Sequence, residues 1–245
     1  MNDFKKRTDV MIVGGGLAGL TAATYLARAG RNVTLLEKGK QVGGRAITQE
    51  RERFLFNLGP HALYVSGAGT AVLHDLNIPF SGHTPHLNGS LAVHHNKLYP
   101  LPMSLGGVLR SRFLTWRERL RLMKAMMALY TTKPEQTDRV TLREWIEKQV
   151  GDSRNLQDLM FALARLGTYT NAPDLMNTAV FLQQTQNATK SSVFYLDGGW
   201  QTLVDGLRQA ATDVGTTIIT EARVTAVTDT PSPQIHLSNG DVWEG

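Results

Sequence analysis

The chain has 245 residues, a formal net charge of +5 and 42% hydrophobic residues, enough for one large domain or two small ones around a real core. It contains no cysteine, which excludes a disulfide framework and a thiolate metal site and suits a reducing cytoplasm. The charge is moderate and no nucleic-acid motif accompanies it, so nucleic acid is not an expected partner.

The first elements are the most informative. Lys5, Lys6 and Arg7 precede an apolar run, but Gly14–Gly16 break that run after four residues, unlike a signal peptide. No stretch approaches ~18 uninterrupted apolar residues, so no transmembrane helix is expected. Asp9–Val13 reads as a buried strand. Gly14-Gly15-Gly16-Leu17-Ala18-Gly19 follows at once and fits G-x-G-x-x-G. Leu17–Ala29 then reads as a helix, with Leu20, Ala23, Leu26 and Ala27 at helical spacing and Gly30 as its stop. Val33–Leu36 is a second apolar run, closed by Glu37.

Each part of this unit has a physical task in dinucleotide binding. Gly14 allows the tight turn, Gly16 lets a pyrophosphate approach the backbone, and Gly19 lets the helix pack close to the sheet. The helix N-terminus at Leu17 and Ala18 offers free N–H groups and a positive dipole end to the phosphates. Glu37 lies 37 − 14 = 23 positions after the first glycine, where a carboxylate can accept from ribose hydroxyls and would repel a 2′-phosphate. The motif alone does not separate FAD from NAD.

The run Leu35-Leu36-Glu37-Lys38, followed by Val42-Gly43-Gly44-Arg45-Ala46, resembles the second signature of a large flavoprotein family. That family holds flavin amine oxidases, protoporphyrinogen oxidases and phytoene desaturases. The resemblance implies FAD as cofactor, with Gly43, Gly44 and Arg45 against its pyrophosphate. Glycines permit close backbone approach, and a planar guanidinium suits phosphate oxygens. A plain NAD-linked Rossmann domain fits this segment less well.

Phe54–Leu58 reads as a strand leading into Gly59-Pro60-His61, which resembles a family segment passing close to the flavin ring. Asn57 stands where an acidic residue is common in the family, keeping an acceptor oxygen without the charge. His61 is the only candidate for a catalytic role; it faces the ring or the substrate, or it is hydrogen-bonded to backbone. Ala71–Leu76 reads as a short helix, and a loop at Ile78–Gly89 marks a domain boundary.

Ser90–Leu98 reads as a hairpin turning at His94-His95-Asn96. Adjacent strand residues point to opposite faces and no third ligand is suitably spaced, so no metal site is expected. Tyr99-Pro100-Leu101-Pro102 resembles a segment of protoporphyrinogen-oxidase-like members. Leu114–Tyr130 is the longest helix candidate, with Leu120, Met123, Met127 and Tyr130 on one face. Its surroundings carry Arg110, Arg112, Arg117, Arg119, Arg121 and Lys124 against one acid, Glu118. A basic amphipathic helix over 110–130 can lie on an anionic membrane, or it can be a solvated basic face over a Met-rich core.

Thr141 and Glu144 form a capping box for a helix over Leu142–Val150 ending at Gly151. Ser153 opens another to about Leu166, ended by Gly167, and Asn171-Ala172-Pro173 opens a third to about Gln186. Tyr195–Gly199 followed by Trp200–Ala211 resembles the family's G-G-x-x-x-L and helix, with Leu203, Leu207 and Ala210 as buried stripe. Strands are expected at Thr216–Thr220, Arg223–Val227 and Gln234–Ser238, with a hairpin turn at Asn239-Gly240. The resemblance places adenine recognition on the backbone of Val224.

The expected fold is α/β: a two-layer, Rossmann-like FAD-binding domain of the glutathione-reductase type, over 1–85 and 190–245. A mainly helical substrate domain, incomplete relative to the family, is inserted at 86–189. The resemblance implies an oxidoreductase, cytoplasmic or membrane-peripheral, passing a hydride from an apolar or amine substrate to flavin N5. The YPLP segment, the GPHALY segment and the basic helix incline it to the desaturase and protoporphyrinogen-oxidase side. The resemblance covers only the N-terminal half or so of a family member, so the expectation is a truncated chain. The alternative is a non-catalytic module that binds FAD or its ADP half.

Overall fold

The computed structural model describes residues 8–244 except 60, 86–88, 103, 191 and 231. The basic triplet at 5–7 lies outside the described residues. The chain divides into two compact units: residues 1–63, 68–83 and 194–245 in one, 64–67 and 84–193 in the other.

The first unit is built on a parallel sheet in which Val33–Leu36 is central. It pairs with Val10–Val13 on one side and with Thr217–Ile219 on the other. All four residues of Val33–Leu36 are buried, as expected of a parallel strand covered on both faces. Alternation along that strand assigns its side chains. Val33 and Leu35 join Leu20 and Ala23 of the helix Leu17–Arg28 and Leu203, Val204, Leu207 and Ala211 of the helix Gln201–Asp213. Leu36 points the other way, into a small cluster with Ala222, Ile235 and Leu237. Those last residues belong to, or lead into, an antiparallel meander of Val224–Thr228, Gln234–Leu237 and Val242–Glu244. The meander adds a third layer to the expected two, because Leu36 needs cover on the face opposite the helices.

A hairpin, Thr48–Arg51 with Phe54–Asn57, also belongs to this unit. Its first strand was not expected. The turn residues Glu52 and Arg53 take φ of 51° and 68° without the Asn or Gly that normally announces such a turn. The short helix forms at Ala68–Asp75, three residues earlier than the reading of the sequence.

Among the described residues the second unit holds the hairpin Leu91–His94 with Lys97–Pro100 and the α-helices Leu105–Arg110, Trp116–Thr131, Leu142–Val150, Arg154–Thr168 and Thr178–Lys190. Leu122, Trp145, Ile146, Leu156, Met160 and Leu182 lie in their common core. Thr141 and Glu144 form the capping box their spacing predicts, and Thr115 with Glu118 forms another.

Three helix expectations are corrected. Gly167 sits inside the last turn of its helix, which ends instead on Tyr169 in the left-handed conformation. Asn171–Pro173 does not open a helix: the Ala172 carbonyl accepts the N–H groups of Leu175 and Met176 in a turn, and the helix starts at Thr178. On Trp116–Thr131 the buried residues are Leu122, Ala125 and Leu129, whereas Leu120, Met127 and Tyr130 are exposed and Met123 half-buried.

Candidate dinucleotide site

The site is built where the central sheet meets its first helix. The turn out of Val10–Val13 is held by the Gly14 N–H, which donates to the Leu36 carbonyl at 2.8 Å. Gly16 caps the helix Leu17–Arg28 with no side-chain acceptor, and its carbonyl takes the Leu20 N–H. The amides of Leu17, Ala18 and Gly19 therefore face outward from the helix end, where an anion is favoured. A Cβ at Gly16 would meet nothing within 4 Å, so this backbone is open to a ligand. A Cβ at Gly19 would stand 2.0 Å from the Gly14 carbonyl oxygen. Gly19 thus lets the helix pack against the turn itself.

The second glycine segment lies directly beside the first. Gly43 pairs with Gly16 as an isolated parallel bridge, and its N–H donates to the Gly15 carbonyl at 2.6 Å. A Cβ on Gly44 would be 3.7 Å from Gly16 Cα. Gly43 and Gly44 have φ of 120° and 55°, which favour glycine, and Gly43 is closed in by Ile47 and Val204. Arg45 follows on a short 3₁₀ turn, exposed and without a hydrogen bond or ion pair among the described residues. Lys38 is likewise exposed.

Glu37 is buried, and its carboxylate is shared between two backbone amides. The Gly15 N–H donates to Oε2 at 2.7 Å and the Gly39 N–H to Oε1 at 2.8 Å. Its own backbone is anchored too, the N–H donating to Ile219 and the carbonyl accepting from Ala222. Sequence reasoning gave Glu37 a ligand to hold; the structure shows it holding the glycine loop. Each carboxylate oxygen has a further lone pair for a ribose hydroxyl. Val224 opens the edge strand of the meander, paired with Leu237 on its inner side. An edge strand leaves backbone groups free along one side, as recognition of a base edge requires.

Gly59 has φ of 104° and open space at its Cβ position. Pro60 lies outside the described residues. His61 is placed by its own loop: Nδ1 is 2.9 Å from the Gly59 carbonyl oxygen, and the ring lies 4.7 Å from that of Trp200. Asn57, where the family commonly has an acid, accepts through Oδ1 from the Thr48 hydroxyl at 2.7 Å and the Trp200 N–H at 3.1 Å. Thr48 Oγ1 in turn accepts the Gln201 N–H at 3.0 Å. Two side chains of the hairpin thereby satisfy amides at the start of the helix Gln201–Asp213, which has no side-chain cap of its own. Thr48 went unnoticed in the sequence, because a cap supplied from 153 positions away has no local signature.

The helix end, the two abutting glycine segments and an exposed arginine suit a pyrophosphate. Fold and site together define a dinucleotide-binding α/β domain. Residues 17–244 match the family described as flavin containing amine oxidoreductase. The chain belongs to this family, and FAD is the cofactor. It is similar to a carotenoid 3,4-desaturase of Haloarcula japonica, 58% identical over 52 residues, which is 21% of this chain and 10% of that protein. It is also similar to an L-amino-acid oxidase of Notechis scutatus scutatus, 49% identical over 65 residues, 26% of this chain and 13% of that protein. Among solved structures, an oxidoreductase from Methanosarcina mazei superposes with a TM-score of 0.73 at 19% identity, over 96% of this chain and 56% of that one. The matches to the two curated relatives thus span about a tenth of their length, and the chain spans little more than half of the solved structure. No helix among the described residues is long and apolar enough to cross a membrane.

Proposed function

We propose that this chain carries the FAD-binding part of an oxidoreductase whose substrate, apolar or an amine, gives up a hydride. The observation that carries the reading is the pairing of Gly43 with Gly16 beside an uncapped helix N-terminus. In this reading the amides of Leu17 to Gly19 and the Arg45 guanidinium hold the pyrophosphate, and Glu37 takes the ribose while fixing the loop. Val224 presents backbone to the adenine, and Gly59-Pro60-His61 lies along the ring system. FAD supplies the hydride acceptor, at N5. The chain's own residues bind, orient and shield, and His61 is the candidate among them for a catalytic role. We assign substrate recognition to the helical unit, on the strength of the family resemblance. A substrate on the desaturase or protoporphyrinogen-oxidase side is supported by the YPLP and GPHALY segments.

One observation favours the second reading, a binding module without turnover: His61 Nδ1 is already engaged by the Gly59 carbonyl, and its ring is set against Trp200. The deciding experiment is a visible spectrum of the purified chain, nucleotide release, and then anaerobic addition of amines, a porphyrinogen or a polyene. Flavin bands bleached by one of these substrates establish the oxidoreductase. Bands bleached only by dithionite establish the module, and a colourless chain that FAD does not stabilise overturns both.

A further inference from the structure

The helix Trp116–Thr131 carries two apolar stripes, and the unit to which it belongs buries only one. Leu122, Ala125 and Leu129 are in the core. At 3.6 residues per turn, Trp116, Leu120, Met127 and Tyr130 fall within an arc of about 80° on the other side. They are 62%, 48%, 67% and 54% exposed, and Met123 sits half-buried among them. Leu105 and Leu109, one turn apart on the preceding helix, are also exposed.

Basic side chains outnumber acids beside this stripe. Arg117 and Lys124 border it, both exposed and neither with a carboxylate partner among the described residues. A shallow concavity at the helix N-terminus adds Arg121 and Arg154. Arg121 is matched by Asp152 at 2.9 Å, whereas Arg154 has no such match among the described residues. The helix's only acid, Glu118, points away from the stripe. Its carboxylate accepts from Ser153 at 2.6 Å, from Asn155 at 3.3 Å and from the N–H and hydroxyl of Thr115.

We propose that this face docks on an anionic lipid bilayer, the helix lying in the interface with its stripe turned to the acyl chains. An exposed apolar stripe edged by Lys and Arg is the composition of an interfacial helix. Trp116 and Tyr130, the side chains that end the stripe, are of the kind that settle at headgroup level. Buried protein contacts instead deplete lysine at their core, and the exposed acid of the neighbouring concavity, Asp152, is already matched by Arg121. The inference stands apart from the flavin reading, since it uses only the second unit.

The test is sedimentation of the purified chain with phosphatidylcholine vesicles made with and without phosphatidylglycerol, with tryptophan emission read in parallel. Binding is expected only to the anionic vesicles, to weaken with salt, and to shift emission to the blue in a way that Trp116→Phe removes. The pair Arg117→Glu and Lys124→Glu is expected to lower partitioning at least about tenfold, at roughly a kcal/mol per basic residue. Leu120→Gln with Met127→Gln is expected to do the same while leaving the melting temperature within a degree or two, since both side chains are exposed. No binding to anionic vesicles, or binding that ignores both variant pairs, overturns the proposal. So does a concentration-dependent dimer that the Leu120/Met127 pair dissociates, which would make the face a protein interface.

Discussion

Glu37 accepts the N–H of Gly15 at 2.7 Å, joining the acid that ends the second strand to the middle of the glycine loop. With the second oxygen on Gly39, one buried carboxylate fixes both turns at the mouth of the site. Glu37→Ala leaves two amides without their acceptor, at about 2 kcal/mol. The apo chain should therefore melt lower even before FAD is added, and FAD should bind more weakly. A variant that melts normally and loses only FAD affinity would confine Glu37 to the ligand.

Gly19 and Gly30 offer a controlled comparison. A Cβ at Gly19 would collide with the backbone oxygen of Gly14, which cannot move without opening the turn. Gly30 has φ of 81° but nothing within 4 Å of its Cβ position. Gly19→Ala is expected to abolish flavin retention. Gly30→Ala should cost only about 1 kcal/mol of conformational strain and keep the flavin. Equal retention in the two, measured by absorbance after gel filtration, would contradict the packing described.

Arg45 has no partner to lose among the described residues, so its removal should be silent in the apo chain. Arg45→Ala is expected to raise the FAD dissociation constant about tenfold, the equivalent of one charge-assisted phosphate contact of ~1.4 kcal/mol. Fluorescence titration gives the constant, and an unchanged apo melt gives the control.

The helical unit should lose stability in acid through Glu118. Burial alone would lift this carboxyl, but hydrogen bonds from Ser153, the Thr115 N–H and hydroxyl, and Asn155 outweigh it and hold the group below its ordinary value. A depressed carboxyl contributes its full stability above the unfolded value and loses it as the pH falls through the folded one. Glu118→Gln should therefore flatten the acid limb of the melting curve below the usual carboxylate range. Thr115→Ala, which removes the same cap from its other side, should cost about 1 kcal/mol at neutral pH.

The two glycine turns and their acid were legible because they answer to backbone requirements that leave marks in sequence: a turn, a close approach, an acid at fixed spacing. The supporting contacts were not. Thr48 reads as one more β-former until it meets Asn57 and the amide of Gln201. The helix Trp116–Thr131 defeats periodicity for a different reason. Leu120 with Met127 and Leu122 with Leu129 both recur at heptad spacing, and the sequence holds no term that says which stripe finds neighbours. Only tertiary packing decides, and it chose the second pair. The third layer of the first unit was hidden in Leu36, whose outward face demands cover that alternation alone does not name.

The strand Thr217–Ile219 completes the sheet beside Val33–Leu36, and its Ile219 carbonyl receives the N–H of Glu37. A nucleotide cradle assembled from residues 14 to 45 is therefore braced by a segment synthesised some 180 residues later. Such a pairing closes a long loop and is slow to form. On the ribosome the glycine loop emerges early but waits for its brace, so cofactor loading waits for Thr217–Ile219 to emerge and pair. Any break in the chain between residues 46 and 216 that lets the two ends drift apart would unmake the site without touching one of its residues.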